Sequence, residues 1–245
     1  MTAISEELIR LSGYSEKGFA AGYDAYRPAS PGAILDLLSF VAQTDRPGLV
    51  VDLGSGTGLS ARAWAESAER VVGVEPNHAM REEAERRTDA ANVGYRDAYS
   101  NATGLPDGCV DIVTCAQSLH WMDPAATFLE AARILRSGGI FAAYDYDVVP
   151  VVHWEVELAF QRFLAARRAL RAELGIVAGA SIWPKEEHRE RMEASGVFRY
   201  TREVVMHSVT AGDAAALIGL ALSIGPIPGD AETTATMLEP AFSDL

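Results

Sequence analysis

Short apolar runs rich in β-branched residues alternate along the chain with longer segments of helical period, the pattern of a parallel sheet wrapped by helices. Leu49-Val50-Val51 is the first such run and ends at Asp52; Val71 to Val74 is the second and ends at Glu75. Further strands are expected around Val93 to Arg96, over Val110 to Cys115, over Ile140 to Tyr144 after a Gly138-Gly139 break, and from Arg199 to His207. Ser30-Pro31 predicts a helix with a cap and a first-turn proline, its buried face marked by Ile34, Leu37, Leu38 and Val41. A second helix follows the glycines of Gly54 to Gly58 through Trp64, and Asn77 caps a third from His78 to about Arg87. Asp123-Pro124 repeats the cap-plus-proline signal. Val156, Phe160, Phe163, Leu170 and Leu174 recur at multiples of three and four, which predicts a long helix with one apolar stripe. A Gly/Ala-rich connection over 175–183 leads to a helix starting near Pro184, and the last helix starts at about Asp213. The fold class is α/β, a doubly wound and mostly parallel sheet with helices on both faces.

A length of 245 residues with 49% hydrophobic and 22% charged residues supplies a core and fits a single domain. The 21 basic and 34 acidic residues leave a net charge of −13 with no basic stripe, which argues against nucleic acid or an anionic membrane as partner. Lys17 and Lys185 are the only lysines, a bias read as compositional. Cys109 and Cys115 lie in an apolar run and make no disulfide framework. His78, His120, His153, His188 and His207 are scattered without a ligand pair at helical spacing, so no metal is expected. The N-terminus lacks a basic start followed by an apolar block, and no apolar run reaches the ~18–20 residues that span a bilayer. A cytoplasmic protein, monomer or homodimer, is the default expectation.

The strongest local signal is VVDLGSGTG, Val50 to Gly58, where glycines let backbone approach a ligand and the next helix offers free N–H groups. Read from Gly56, the string G-T-G-L-S-A fits a dinucleotide pattern, with Glu75 at a distance suited to a ribose. Read from Asp52, it is D-x-G-x-G-x-G. A carboxylate there would repel a pyrophosphate and suit a ligand carrying an ammonium or sulfonium group.

In this second form the segment resembles the first motif of class I S-adenosylmethionine-dependent methyltransferases. VVGVEPNHAMREEAE, Val71 to Glu85, is similar to that family's second motif. LPDGCVDIVTCAQSLHWMDP, Leu105 to Pro124, and EAARILRSGGIFAAYDY, Glu130 to Tyr146, resemble the branch containing ubiquinone-biosynthesis and trans-aconitate-type methyltransferases. The resemblance covers about residues 20–150 well and 150–225 loosely. It implies a Rossmann-like sheet and S-adenosyl-L-methionine as cofactor, with S-adenosyl-L-homocysteine as product. Asp52, Gly54, Ser55, Gly56 and Gly58 would meet the donor, Glu75 its ribose hydroxyls, and Pro76 and Met80 its adenine. Ala98, Tyr99, Ala116 and Gln117 complete the expected cofactor contacts, although Asp97 to Ser100 aligns in more than one way. A lid over 1–30, a cofactor-binding core over 31–147, a helical acceptor-pocket region over 148–197 and a C-terminal strand and helix over 198–245 are expected. The family's last antiparallel strand finds no apolar run after Thr210; either the chain is short there or the sheet edge closes differently.

For the acceptor, His120 in QSLHW and Asp145 after the fifth strand are the candidate catalytic groups. Tyr23, Tyr26, Arg27, Trp121 and Tyr144 are the candidate substrate contacts, with Arg27 suited to a carboxylate. For each of these a packing role is the competing reading. The expected function is methyl transfer to an O, N or C atom of a small molecule. An NAD(P)-dependent oxidoreductase and a non-catalytic binding module of the same fold are the alternatives.

Overall fold

A computed structural model describes residues 14–15, 18–173 and 183–224. The described residues fall into two compact units. One comprises residues 28–145 and 183–208, the other the described residues of 14–27, 146–173 and 209–224.

The first unit is built on five parallel strands in the order β3-β2-β1-β4-β5. They are β1 (Val50–Leu53), β2 (Val71–Val74), β3 (Val93–Arg96), β4 (Val110–Ala116) and β5 (Leu135–Tyr144). Both faces of β1 are buried, which is why it reads as a continuous apolar run rather than an alternation. Val50 and Ile112 pack towards the helices Gly32–Val41 and Leu59–Ala63, against Leu35, Leu38, Ala61 and Trp64. Val51, Leu53, Val113 and Cys115 pack the other way, against Phe128, Ala131 and Ile134 of the helix Pro124–Ile134. The strand–turn–helix order expected from the sequence is therefore the observed one.

In chain order the helices are α1 (Phe19–Tyr26), α2 (Gly32–Val41), α3 (Leu59–Ala63), α4 (His78–Arg87), α5 (Pro124–Ile134), α6 (Trp154–Glu173), α7 (His188–Ser195) and α8 (Ala214–Leu222). Asn77 caps α4 by accepting from the N–H groups of Ala79 and Met80, and Asp123 caps α5 the same way, with Pro124 at its first position. Asp213 caps α8 through Ala216 N. Ser30 does not cap α2. The helix begins one residue later than expected, behind Pro31, and the Ser30 hydroxyl bonds the Tyr144 hydroxyl at 2.9 Å instead.

Two further expectations are corrected. Gly138-Gly139 does not start β5 but bulges it: Val110 pairs with Leu135 and Ile112 with Ile140, so the strand opens five residues earlier than read. Gly138 takes φ +78°, and a Cβ on Gly139 would meet the Asp111 carbonyl at 3.1 Å. The strand expected from Arg199 to His207 is not formed. That segment carries no ladder, and Val204 and Val205 stand 52% and 80% exposed. A β-branched run makes a strand only where another strand takes up its backbone groups.

The second unit holds α1, α6 and α8; Phe160 and Phe163 of α6 pack with Ala221 of α8, and α1 packs on α8. The long helix expected from Val156 onward is α6; Leu174 and most of the Gly/Ala-rich connection lie outside the described residues. Gly219 of α8 lies against the ring of Tyr26, where a Cβ would come within 2.1 Å of Cδ1, so only glycine lets α1 and α8 approach this closely. No helix among the described residues is long and apolar enough to cross a membrane.

Candidate functional site

Parallel strands deliver their C-terminal residues to one edge of the sheet, where ligands bind in open α/β folds. Asp52 and Glu75, which the sequence placed at strand ends, reach that edge from β1 and β2. A surface depression between the starts of β2 and β3 lies at the opposite end of the strands and belongs to neither.

The glycine turn between β1 and α3 divides its labour. Gly54, Gly56 and Gly58 all have positive φ, at +66°, +54° and +85°. A Cβ on Gly54 would strike Met122 Cε at 2.6 Å, and one on Gly58 would strike Tyr95 Oη at 2.1 Å. Those two glycines serve internal packing. At Gly56 a Cβ would meet only Met80 Cε, at 3.4 Å, so this glycine holds space open in front of the turn. Gly56 N donates to Glu75 Oε2 at 2.9 Å, and Asn77 N donates to Oε1 at 2.8 Å. Glu75 is thereby fixed beside the open glycine, with lone pairs on both oxygens to spare. Burial pushes its carboxyl up, against the pull of those two amides and of Arg81. Pro76 and buried Met80 follow it.

Asp52 is fully buried. Its Oδ1 accepts from the Thr114 hydroxyl at 2.8 Å, while Oδ2 has no hydrogen-bond partner among the described residues. Burial, reinforced by the nearby Glu75 carboxylate, pushes the Asp52 carboxyl up to about 7. The buried hydroxyls of Ser55 and Thr57 are also without partners. Three orphaned polar atoms within six residues, behind an open glycine, are what a turn built for a polar ligand leaves behind. An acceptor oxygen beside two hydroxyls suits the ammonium and carboxylate of an amino acid.

Ser118 Oγ donates to Leu53 O at 2.6 Å and ties the end of β4 to the turn. Gln117 takes φ +56°, its N donates to Tyr144 O at 2.9 Å, and it follows Ala116 at the edge. His120 is buried in a 3₁₀ turn, Leu119–Trp121, its ring 5.2 Å from that of Trp121. Tyr144 does not stand alone as an aromatic wall. Its hydroxyl bonds both Ser60 at 2.6 Å and Ser30 at 2.9 Å, and burial together with the Asp52 carboxylate pushes it well above the ordinary tyrosine range. Asp145 Oδ1 lies 2.7 Å from Lys185 Nζ, which also donates to Gln117 Oε1 at 2.6 Å. Ala98 packs on the core, and Tyr99 forms a bridge with Ala102 beside it.

Tyr23, Tyr26 and Arg27 belong to the second unit. There the Arg27 guanidinium donates to Tyr146 Oη at 2.5 Å and to Ser223 O at 2.9 Å, 4.9 Å from the Tyr23 ring centroid. No group of three or more metal-ligating side chains occurs among the described residues. Sequence reasoning missed Thr114, Ser60 and Lys185. Thr114 sits opposite Asp52 in the β1–β4 register, so strand pairing would have found it; Lys185 carried only its rarity as a signal.

Residues 51–143 match the methyltransferase domain family model. An uncharacterised methyltransferase of Mycobacterium bovis is 36% identical over 125 residues, 50% of this chain and 48% of that protein. A proposed S-adenosylmethionine-dependent methyltransferase of Saccharomyces cerevisiae is 30% identical over 139 residues, 54% of this chain and 47% of that protein. The chain thus spans about half the length of the curated relatives it matches. Among solved structures, a proposed type II methyltransferase of Anaeromyxobacter dehalogenans shares the fold with a TM-score of 0.53 at 24% identity, covering 89% of this chain and 90% of that one.

Proposed function

We propose that this chain, whose residues 51–143 match the methyltransferase domain family model, is a class I S-adenosylmethionine-dependent methyltransferase that transfers a methyl group to a small-molecule acceptor. The observation that carries the reading is the open, positive-φ Gly56 beside the tethered Glu75 and the orphaned Asp52 Oδ2. Glu75 offers its spare lone pairs to the ribose hydroxyls, Met80 an apolar face to the adenine, and Asp52 a carboxylate to the ammonium group. S-Adenosylmethionine supplies an already activated methyl, so the chain has mainly to align donor and acceptor in line and exclude water. Asp145 is engaged by Lys185 and holds it in place. His120, at the same edge, is left as the group to take a proton from a neutral acceptor. The absence of any basic stripe in a chain of net charge −13 favours a small molecule over a nucleic acid.

The test is a calorimetric titration with S-adenosylhomocysteine, with NAD as control. Micromolar binding of the former alone is expected, and Glu75→Ala should abolish most of it. Binding of NAD instead would return the site to dinucleotides, and an unchanged affinity in Glu75→Ala would remove the ribose assignment.

A further inference from the structure

Beyond the donor turn, the same edge of the first unit carries a buried polar cluster built by the segment from Trp183 to Arg191. Lys185 reaches back to Gln117 after β4 and Asp145 after β5, and Trp183 N donates to His120 O at 3.3 Å. At the start of α7, His188 is 7% exposed, its Nδ1 is 2.7 Å from Arg191 Nη1, and its Nε2 has no partner.

The chemistry of that pair decides the ring's state. A guanidinium only donates, so His188 Nδ1 must accept, and the proton of the neutral imidazole sits on Nε2. Burial, with the positive charges of Arg191 and Lys185, holds the ring below the ordinary histidine range, against the pull of Asp145 and Glu186, so it is neutral at neutral pH. Nε2–H is then a buried donor with nothing to donate to among the described residues, a desolvation cost that a ligand supplying an acceptor would relieve. It is no proton acceptor either, since both nitrogens are committed. Arg191 is itself held, by the carbonyl of Pro184, by Glu187 and by the face of Trp183, its carbon 5.5 Å from that ring centroid.

Charge narrows the ligand. The well-covered charges of the cluster are Arg191, Lys185 and Asp145, with side chains 15%, 31% and 21% exposed, whereas Glu187, 56% exposed, and Glu186, also exposed, are screened by water. Two well-covered cations therefore face one well-covered anion. Among the described residues, two of the three Lys185 protons are taken up, by Asp145 and Gln117.

We propose that His188 Nε2–H and Lys185 form a recognition site for a carboxylate, and that the methyl acceptor is a carboxylate-bearing small molecule. Placing the acceptor there rests on the donor site assigned above; the carboxylate site itself does not.

The test uses the full chain labelled with ¹⁵N-histidine, with His188→Phe identifying the resonance. Wild type should show a neutral ring protonated on Nε2. Titration with benzoate or succinate should shift that N–H signal, and benzamide or succinamide should not. Lys185→Met and His188→Phe should each weaken the carboxylate probe by roughly ten- to hundredfold, the worth of a hydrogen bond to a charged group, and His188→Phe should leave S-adenosylhomocysteine affinity unchanged. A ring protonated on Nδ1, no response to either carboxylate, or an equal response to the amides overturns the proposal. A carboxylate response in a protein that does not bind S-adenosylhomocysteine upholds the carboxylate site and overturns the acceptor role. Donor binding without a carboxylate response upholds the donor site and overturns the carboxylate site together with its acceptor role.

Discussion

Asp52 ionises at about 7 in the folded chain and near 4 when unfolded. Between those values the native state holds the extra proton, so its contribution to stability is whole below about pH 4 and is lost as the pH rises through about 7. A cationic ligand reverses the preference by stabilising the carboxylate. Asp52→Asn should therefore melt no lower than wild type at neutral pH, yet bind S-adenosylhomocysteine at least tenfold more weakly, as thermal melts and calorimetry would show. The glycines separate along the same line. Gly56→Ala carries only the left-handed backbone penalty, about 1–2 kcal/mol, and should fold while losing the donor. Gly58→Ala adds a clash with Tyr95 Oη and should cost roughly 3 kcal/mol or more. Equal melting temperatures for the two would refute this division. Asp52 was legible because an acid, a glycine turn and a helix start are contiguous in sequence, and Glu75 because it ends an apolar run just before a capped helix. His188 and Lys185 were not: what makes them a site is the meeting of residues 117, 145 and 185, which no local spacing encodes.

Among the elements, α5 shows how a helix is fastened to the loop before β4. Glu130 is buried at 9% exposure and accepts from Thr103 N at 2.8 Å and Thr103 Oγ1 at 2.6 Å, as well as from Arg133. The Arg133 guanidinium, followed by the Thr103 hydroxyl and amide, outweighs burial and holds the carboxyl down at about 2. Arg133 is 36% exposed, so solvent discounts its share and the Thr103 bonds carry more of the stability. A depressed carboxyl stabilises the fold fully above its unfolded value near 4.5, and that contribution fades as the pH falls towards 2. Glu130→Gln should cost about 1–3 kcal/mol at neutral pH and flatten the acid limb of the stability curve. An unchanged acid limb would show the network idle. Element prediction succeeded where burial on both sides makes apolar runs continuous, as in β1, and where a cap names a helix start, as at Asn77 and Asp123. It failed over 199–207, because the apolar run Val204 to Met206 makes no strand without a partner strand to complete it. It shortened β5 because two glycines look alike whether they end a helix or bulge a strand.

At the scale of the whole molecule, the two units are built on different frames. The first closes aliphatic and aromatic side chains, Trp64 on one face and Phe128 on the other, over a parallel sheet, whereas the second packs helices around Phe160 and Phe163. The charge balance was read directly from composition, but this division was not, because helices α1, α6 and α8 come from three separate stretches of chain. The two cysteines mark the first unit at very different depths. Cys115 is sealed mid-sheet, its thiol pushed well above the ordinary range by burial and then by the Asp52 charge, whereas Cys109 lies half-buried just before β4, its Sγ 3.1 Å from Pro106 O. With excess thiol reagent at neutral pH, the native protein should take up one equivalent promptly and the second only as often as the sheet parts. Two equivalents at one rate would show that the strand is not sealed. The chain thus carries its own stopwatch: the lag of the second label behind the first times the opening of the sheet without any probe being engineered in.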